Sequence, residues 1–152
     1  MKFECSAQDL FYGLQNATRA LSSRPAMQIL EGVLLSCDED GVLLQCSDGS
    51  LSIKTQVSAT VAEPGQVILP GRLLTEIVRK LPDDMVLFQE EALKVHIACG
   101  YSEFDLLGID PEDFPELPTV EYQNSLALPE QTLRAMISQT IFAVSTDDSR
   151  PI

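Results

Sequence analysis

The sequence has no tryptophan, a single histidine (His96), and only 10 lysines and arginines against 23 aspartates and glutamates. Each shortage excludes something. The four cysteines, Cys5, Cys37, Cys46 and Cys99, are far apart, with no C-x-x-C pair and a single histidine beside them, so a zinc site is not expected. Buried, reduced thiols are the expectation. No apolar run approaches the roughly 20 residues needed to cross a bilayer. The opening, Met1-Lys2-Phe3-Glu4-Cys5, goes straight into strand-like sequence, so a cytoplasmic location is expected. Phosphate-binding and dinucleotide-binding glycine loops are missing, as is a nucleophile elbow. The net charge of −13 argues against a broadly basic nucleic-acid surface.

What remains is an ordinary globular composition, 45% hydrophobic over 152 residues, enough for one domain with a core and part of another. Residues 1–5 read as a short strand. Ser6 offers an N-cap with Asp9 three residues on, and Leu10, Leu14, Ala17 and Leu21 follow at helical spacing, which predicts a helix over 7–21. Pro25 disfavours helix at Arg24. Strands are expected over 29–37 and 42–47, with Asp38-Glu39-Asp40-Gly41 as the turn between them. Alternation from Leu51 to Val61 predicts one half-buried strand, and 66–69 is short and extended. Pro70 opens a second helix, whose apolar stripe is Leu74, Ile77, Val78 and Leu81. Three more strands are expected over 85–89, 93–99 and 101–107.

Residues 108–119 carry Pro111, Pro115 and Pro118 among acidic residues and read as a linker. Ser125 to Leu128 is extended, and Pro129 opens a third helix with Leu133, Met136 and Ile137 on one face. A strand and a helix cannot bury a core unaided, so a second domain is expected to continue beyond residue 152.

The strand–helix junctions superpose. Cys5-Ser6 with Leu10 and Leu14 matches Leu69-Pro70 with Leu74 and Val78, 64 residues on, and Leu128-Pro129 with Leu133 and Ile137 lies 59 further. The expected fold class is therefore α+β: a pseudo-twofold repeat of two βαβββ units, helices side by side on one face of a continuous antiparallel sheet. The expected domains are 1–119 and a truncated 120–152. Charge follows the same division. The helices and their flanks (6–24, 71–81, 129–140) hold six basic and three acidic residues, and the rest of the chain four basic and twenty acidic. With the helices along one side of the sheet, that side is expected to be mildly basic and the other strongly acidic.

The series Met1-Lys2-Phe3, Ser23-Arg24-Pro25 before Ile29-Leu30-Glu31-Gly32-Val33, Leu69-Pro70-Gly71-Arg72, Asp110-Pro111-Glu112-Asp113-Phe114-Pro115 and Phe142 to Pro151 resembles, in order, the β subunit of bacterial DNA polymerase III, the sliding clamp. Two places depart from that family. Ser47-Asp48-Gly49-Ser50 stands where an acidic residue usually closes the run, and Gln28 where proline is usual. The resemblance implies three similar domains per subunit, a head-to-tail homodimer closed into a ring, and duplex DNA in a hole lined by helices. The replicative polymerase's catalytic subunit and the clamp loader are the implied partners, with no cofactor, metal, membrane or catalytic residue. It further implies DNA contacts at Arg24 and Arg72, to phosphates and not bases, and weaker ones at Asp147, Pro151 and Ile152. The implied dimer face carries Leu74, Val78, Leu81, Tyr101, Phe104 and Leu106.

The bland readings stand beside these. Arg24 suits the dipole at a helix C-terminus, whereas Arg72 in a first turn opposes it and needs another reason. His96 between Val95 and Ile97 reads as a strand or surface histidine, since no cysteine or serine forms a catalytic motif with it. Asp38, Asp40 and Gly41 lack the remaining ligands of a calcium loop, and Asp110, Glu112 and Asp113 read as a solvated linker. The alternative functions are a metal-dependent hydrolase or phosphotransferase using the acidic clusters, and a β-rich interaction module. Of the three readings, only the clamp demands a closed ring.

Overall fold

The computed structural model describes residues 1–22, 25, 27–115 and 125–145. The chain divides into two compact units, Met1–Leu117 and Pro118–Ile152.

In the first unit, β1 (Lys2–Ser6) leads into α1 (Ala7–Ala17). Ser6 caps the helix by accepting from the Asp9 N–H at 3.4 Å, and the Ala7 N–H donates to the Asp84 carbonyl at 3.0 Å. The helix is shorter than its apolar spacing predicts. It tightens to a single 3-10 turn over Thr18–Ala20, where the Thr18 hydroxyl donates back to the Leu14 carbonyl at 2.6 Å. Another 3-10 turn, Gln28–Glu31, takes the place of the expected start of the next strand. Three antiparallel strands follow, β2 (Gly32–Asp38), β3 (Gly41–Ser47) and β4 (Ser52–Val57). Then come β5 (Thr60–Glu63), β6 (Gly65–Pro70), α2 (Gly71–Arg79), β7 (Met85–Glu91), β8 (Lys94–Cys99) and β9 (Ser102–Leu107).

The structure also corrects the sequence reading of the sheets. The expected single strand over 51–61 is broken at Ser58-Ala59, with β4 in one sheet and β5 in the other. The expected continuous sheet is two: β5-β1-β7-β8-β9 and β4-β3-β2-β6. The pseudo-twofold repeat is present, with the first strands exchanged. β1 lies beside β7 of the second repeat, and β6 beside β2 of the first. An isolated bridge from Ile68 to Ile109 adds one further pairing along β6.

The exchange gives the halves a common interior. Phe3 of β1 stacks on Phe88 of β7 with ring centroids 4.8 Å apart. Leu10 and Leu14 of α1 and Leu74 and Val78 of α2 share one buried cluster with Val33, Leu35, Leu44, Val86 and Ile97 from both sheets. Gly13 marks the closest approach of α1 to β4, since a Cβ there would come within 2.5 Å of Val57 and 3.0 Å of Leu44. All four cysteines are buried and free.

In the second unit, residues 125–129 form no strand and α3 spans Glu130–Thr140. Its stripe of Leu133, Met136 and Ile137 is about half exposed.

Candidate nucleic-acid interface

α1 and α2 lie together in the first unit, their apolar stripes turned into the common core. Their opposite faces are polar. On α1 and the turn after it, Gln8, Tyr12, Gln15, Asn16 and Arg19 are exposed; on α2 and its end, Arg72, Leu73, Glu76, Arg79 and Lys80. Four cations against Asp9 and Glu76 make this face mildly basic, in a chain that is acidic almost everywhere else.

The cations differ in how they are held. Arg79 forms an ion pair with Glu76 at 2.6 Å, one turn back, with both side chains half exposed. Such a pair adds little stability and leaves most of the guanidinium open to solvent. Arg72 donates to the main-chain carbonyl of Ser22 at 3.2 Å. This contact ties the start of α2 to the chain leaving α1, and it gives the arginine a structural occupation. A guanidinium has five N–H donors, so one bond to a carbonyl leaves the remainder for a phosphate. Arg19 and Lys80 are exposed and in no ion pair among the described residues. They were counted in the basic total but not singled out from the sequence. Their signal was available, because both fall on the side of their helix away from the leucines. Arg24, Asp147, Pro151 and Ile152 lie outside the described residues.

The expected subunit contact divides. β9 is an outer strand of its sheet. Tyr101 precedes it fully exposed, and Phe104, opposite the buried Ile97 across the ladder, is 36% exposed because no strand continues beyond it. Leu106 and Leu81 are half-buried and pack on the core. Leu74 and Val78 correct the expectation: they are 0% and 2% exposed, turned inward on α2, so neither can touch a partner directly. Exposed Leu107, on the outer face of β9, was missed because an apolar residue ending a strand reads as core.

The other candidates resolve into structure. His96 Nδ1 lies 2.8 Å from Asp105 Oδ1, directly across the β8–β9 ladder. The Asp38 carboxylate accepts the Asp40 N–H at 3.0 Å and so shapes its own turn. Among the described residues, no three of the histidines, cysteines, aspartates and glutamates stand together as metal ligands. Burial pushes the Cys5 and Cys46 thiols up to about 12, which makes poor nucleophiles of them. No helix among the described residues is long and apolar enough to cross a membrane.

Known proteins share this arrangement. A family model described as DNA polymerase III beta subunit, N-terminal domain, matches residues 1–118. A beta sliding clamp of Staphylococcus aureus is 35% identical over all of this chain and 43% of its own length, and one of Bacillus subtilis is equally similar. The chain thus spans less than half the length of these curated relatives. Among solved structures, the DNA polymerase sliding clamp of Bacillus subtilis superposes with a TM-score of 0.93 at 34% identity, covering 99% of this chain and 42% of that one. The beta subunit from the DNA polymerase of Streptococcus pyogenes gives 0.93 at 29% identity, covering 99% and 42%. With the family model matched over most of its length and the exchanged-strand repeat in place, this chain belongs to the DNA polymerase III beta subunit family, the sliding clamps.

Proposed function

We propose that this chain supplies the first domain, residues 1–119, and the start of the second, 120–152, of a subunit that closes head-to-tail with a second copy into a ring around duplex DNA. The ring tethers the replicative polymerase, performs no chemistry of its own, and is placed on DNA by a clamp loader. The observation that supports this reading best is the one mildly cationic face that α2, its end and the turn after α1 form together on an otherwise acidic domain. A ring holds DNA by enclosure, so its inner face needs only weak, sequence-blind attraction to phosphate. Arg72 is proposed as a phosphate contact, together with Arg24, and Asp147, Pro151 and Ile152 as weaker ones. The outer strand β9, with Tyr101, Phe104 and Leu106, and Leu81 nearby, is proposed as the edge that meets the partner subunit. An exposed strand edge bearing apolar groups recruits another strand.

The test uses the full-length protein carrying Arg24→Glu and Arg72→Glu. If both residues contact phosphates, the slope of log binding constant against log salt flattens by about one unit per site, without loss of folding. A double variant with the parent's salt slope would remove both residues from the DNA path.

A further inference from the structure

α1 begins where α2 ends, and a cleft of about 300 Å³ lies between them. That volume is at the small end of the range for ligand sites. Main-chain hydrogen bonds hold its walls. The Ala7 N–H donates to the Asp84 carbonyl at 3.0 Å, the Asp84 N–H to the Pro82 carbonyl at 2.9 Å, and the Leu81 N–H to the Val78 carbonyl at 3.2 Å. The start of α1 and the turn after α2 are thereby tied together. Val78, at the floor, is 2% exposed.

Four side chains lining the cleft are free or only partly engaged. Tyr12 is 53% exposed, with the Phe11 ring 6.1 Å away and tilted by 46°. Gln8 and Asp83 are exposed, and their side chains make no hydrogen bond among the described residues. Arg79 gives one nitrogen to Glu76 at 2.6 Å and keeps its other donors. The opposite end of the helix pair is different. Where α1 ends beside the start of α2, a second cleft, also of about 300 Å³, is lined by Leu21, Glu31, Gly71 and Arg72 and has no aromatic ring. One end of the pair suits a phosphate alone; the other adds a surface on which a planar group can stack.

We propose that the cleft at Tyr12 takes one unpaired base of single-stranded DNA, stacked on the Tyr12 ring, with the base edge at Gln8 and Asp83 and the adjoining phosphate at Arg79. Every base has a face that can stack on an aromatic ring. A carboxylate accepts from an exocyclic amino group, and an amide both donates and accepts. A base in a duplex is already stacked and paired, so it cannot enter without being turned out. A cationic peptide side chain would also suit a ring and a carboxylate, but it would have to approach a face that carries Arg19, Arg72, Arg79 and Lys80. The proposal goes beyond the enclosure of duplex DNA, which needs no base contact, and it requires no ring.

Two measurements on the 152-residue chain decide this. In the first, a labelled mixed-sequence oligonucleotide of about 12 nucleotides is titrated with the chain, once single-stranded and once annealed to its complement. Tyr12→Ala should weaken single-strand binding at least about fivefold more than duplex binding, and Tyr12→Phe, which keeps the ring, should stay within about twofold of the parent. In the second, the same single strand carrying 5-iododeoxyuridine is irradiated with the parent chain, so the test survives if a variant fails to fold. Mass spectrometry should find it joined to the tryptic peptide 3–19, which carries Tyr12. The salt slope of the Arg24→Glu, Arg72→Glu variant is read on duplex DNA, so that reading stands or falls separately. Equal losses on the two forms of DNA, a cross-link confined to other peptides, or an oligolysine peptide held at Tyr12 in place of the single strand would each overturn the proposal.

Discussion

The first half of the first unit, β1 to β4, and the second, β6 to β9, run through the same order of strand, helix and three strands, and they differ at the outermost strand. α1 settles onto β4 at Gly13, and Val57 beneath it is 3% exposed. Sixty-four residues on, the position of Gly13 is held by Ile77, itself buried. In the second half the outer strand stays partly bare, with Phe104 36% and Leu107 72% exposed. The comparison teaches that topology alone does not decide how a repeat covers its outer strand: α1 packs closely on β4, whereas Phe104 and Leu107 leave β9 partly bare.

The largest test of the pair asks whether the two helices contribute equally to the core. Leu14→Ala in α1 and Leu74→Ala in α2 remove side chains that are both fully buried. Each should destabilise the chain by about 2–5 kcal/mol in denaturant unfolding, with the spread set by how far each site can collapse. If Leu74 faced a partner subunit instead, its removal would leave the stability of the isolated chain unchanged, and the symmetry of the two halves would fail.

That residue also shows where the sequence was legible. The spacing of Leu10, Leu14, Leu74 and Val78 announced two amphipathic helices and the repeat between them, because helical periodicity is local. It carries no information on which apolar face meets a core and which a partner; the resemblance implies a dimer face with Leu74, Val78 and Phe104, and the structure turns the first two inward. The break at Ser58-Ala59 was invisible for a related reason. Alternation runs unbroken through Ile53, Thr55, Val57, Ala59 and Val61 and cannot register that the chain has moved from one sheet to the other. The exchange of β1 and β6 between halves depends on pairings some 80 residues apart for β1, as in Cys5 with Val86, which no local pattern encodes. For the candidate interface, residue type and the side of each helix were readable, and the joining of those sides was not. Spacing alone turns Arg19 and Lys80 away from the leucines; that their sides join the one carrying Arg72 depends on how α1 and α2 pack together, which no local pattern encodes.

Alkaline titration separates the two sheets. Cys46 of β3 has its thiol pushed up to about 12 by burial alone, and Cys5 of β1 to about 12 by burial first and then by Asp9, Cys37 and Cys99. The folded chain therefore keeps these protons at a pH where the unfolded chain releases them, and its stability falls as pH rises from about 9 towards 12. Cys46→Ala should flatten that fall relative to the parent, measured as unfolding free energy at several pH values across the window. An unchanged slope would mean that the thiol reaches solvent in the native state.

A smaller effect tests the contact between α1 and β4. Gly13→Ala improves helix propensity by roughly 1 kcal/mol, but its Cβ has no room beside Val57 and Leu44. Overpacking costs about 1–3 kcal/mol, so the net expectation is a loss of up to about 2 kcal/mol. A gain in thermal stability would show that α1 can shift on the sheet to make room for the methyl group, and that the close approach at Gly13 is not required.

The smallest effect lies at the two helix starts. α1 begins with Ser6 accepting the Asp9 N–H at the long distance of 3.4 Å, so Ser6→Ala should cost about 0.5 kcal/mol, the low end for a lost N-cap. α2 begins after Pro70 with no side-chain cap and places Arg72 in the first turn, where a cation opposes the helix dipole. Arg72→Ala removes an exposed hydrogen bond to Ser22 and also removes that repulsion. The two terms are each below about 1 kcal/mol and opposite in sign, so the variant should unfold within about 0.5 kcal/mol of the parent. Calorimetry on the two single variants checks both values. A loss above about 1 kcal/mol for Arg72→Ala would make the Ser22 contact a sufficient reason for an arginine at this position. A negligible loss leaves a cation that stabilises nothing in the chain that carries it, and its exposed guanidinium is then best accounted for by a phosphate outside.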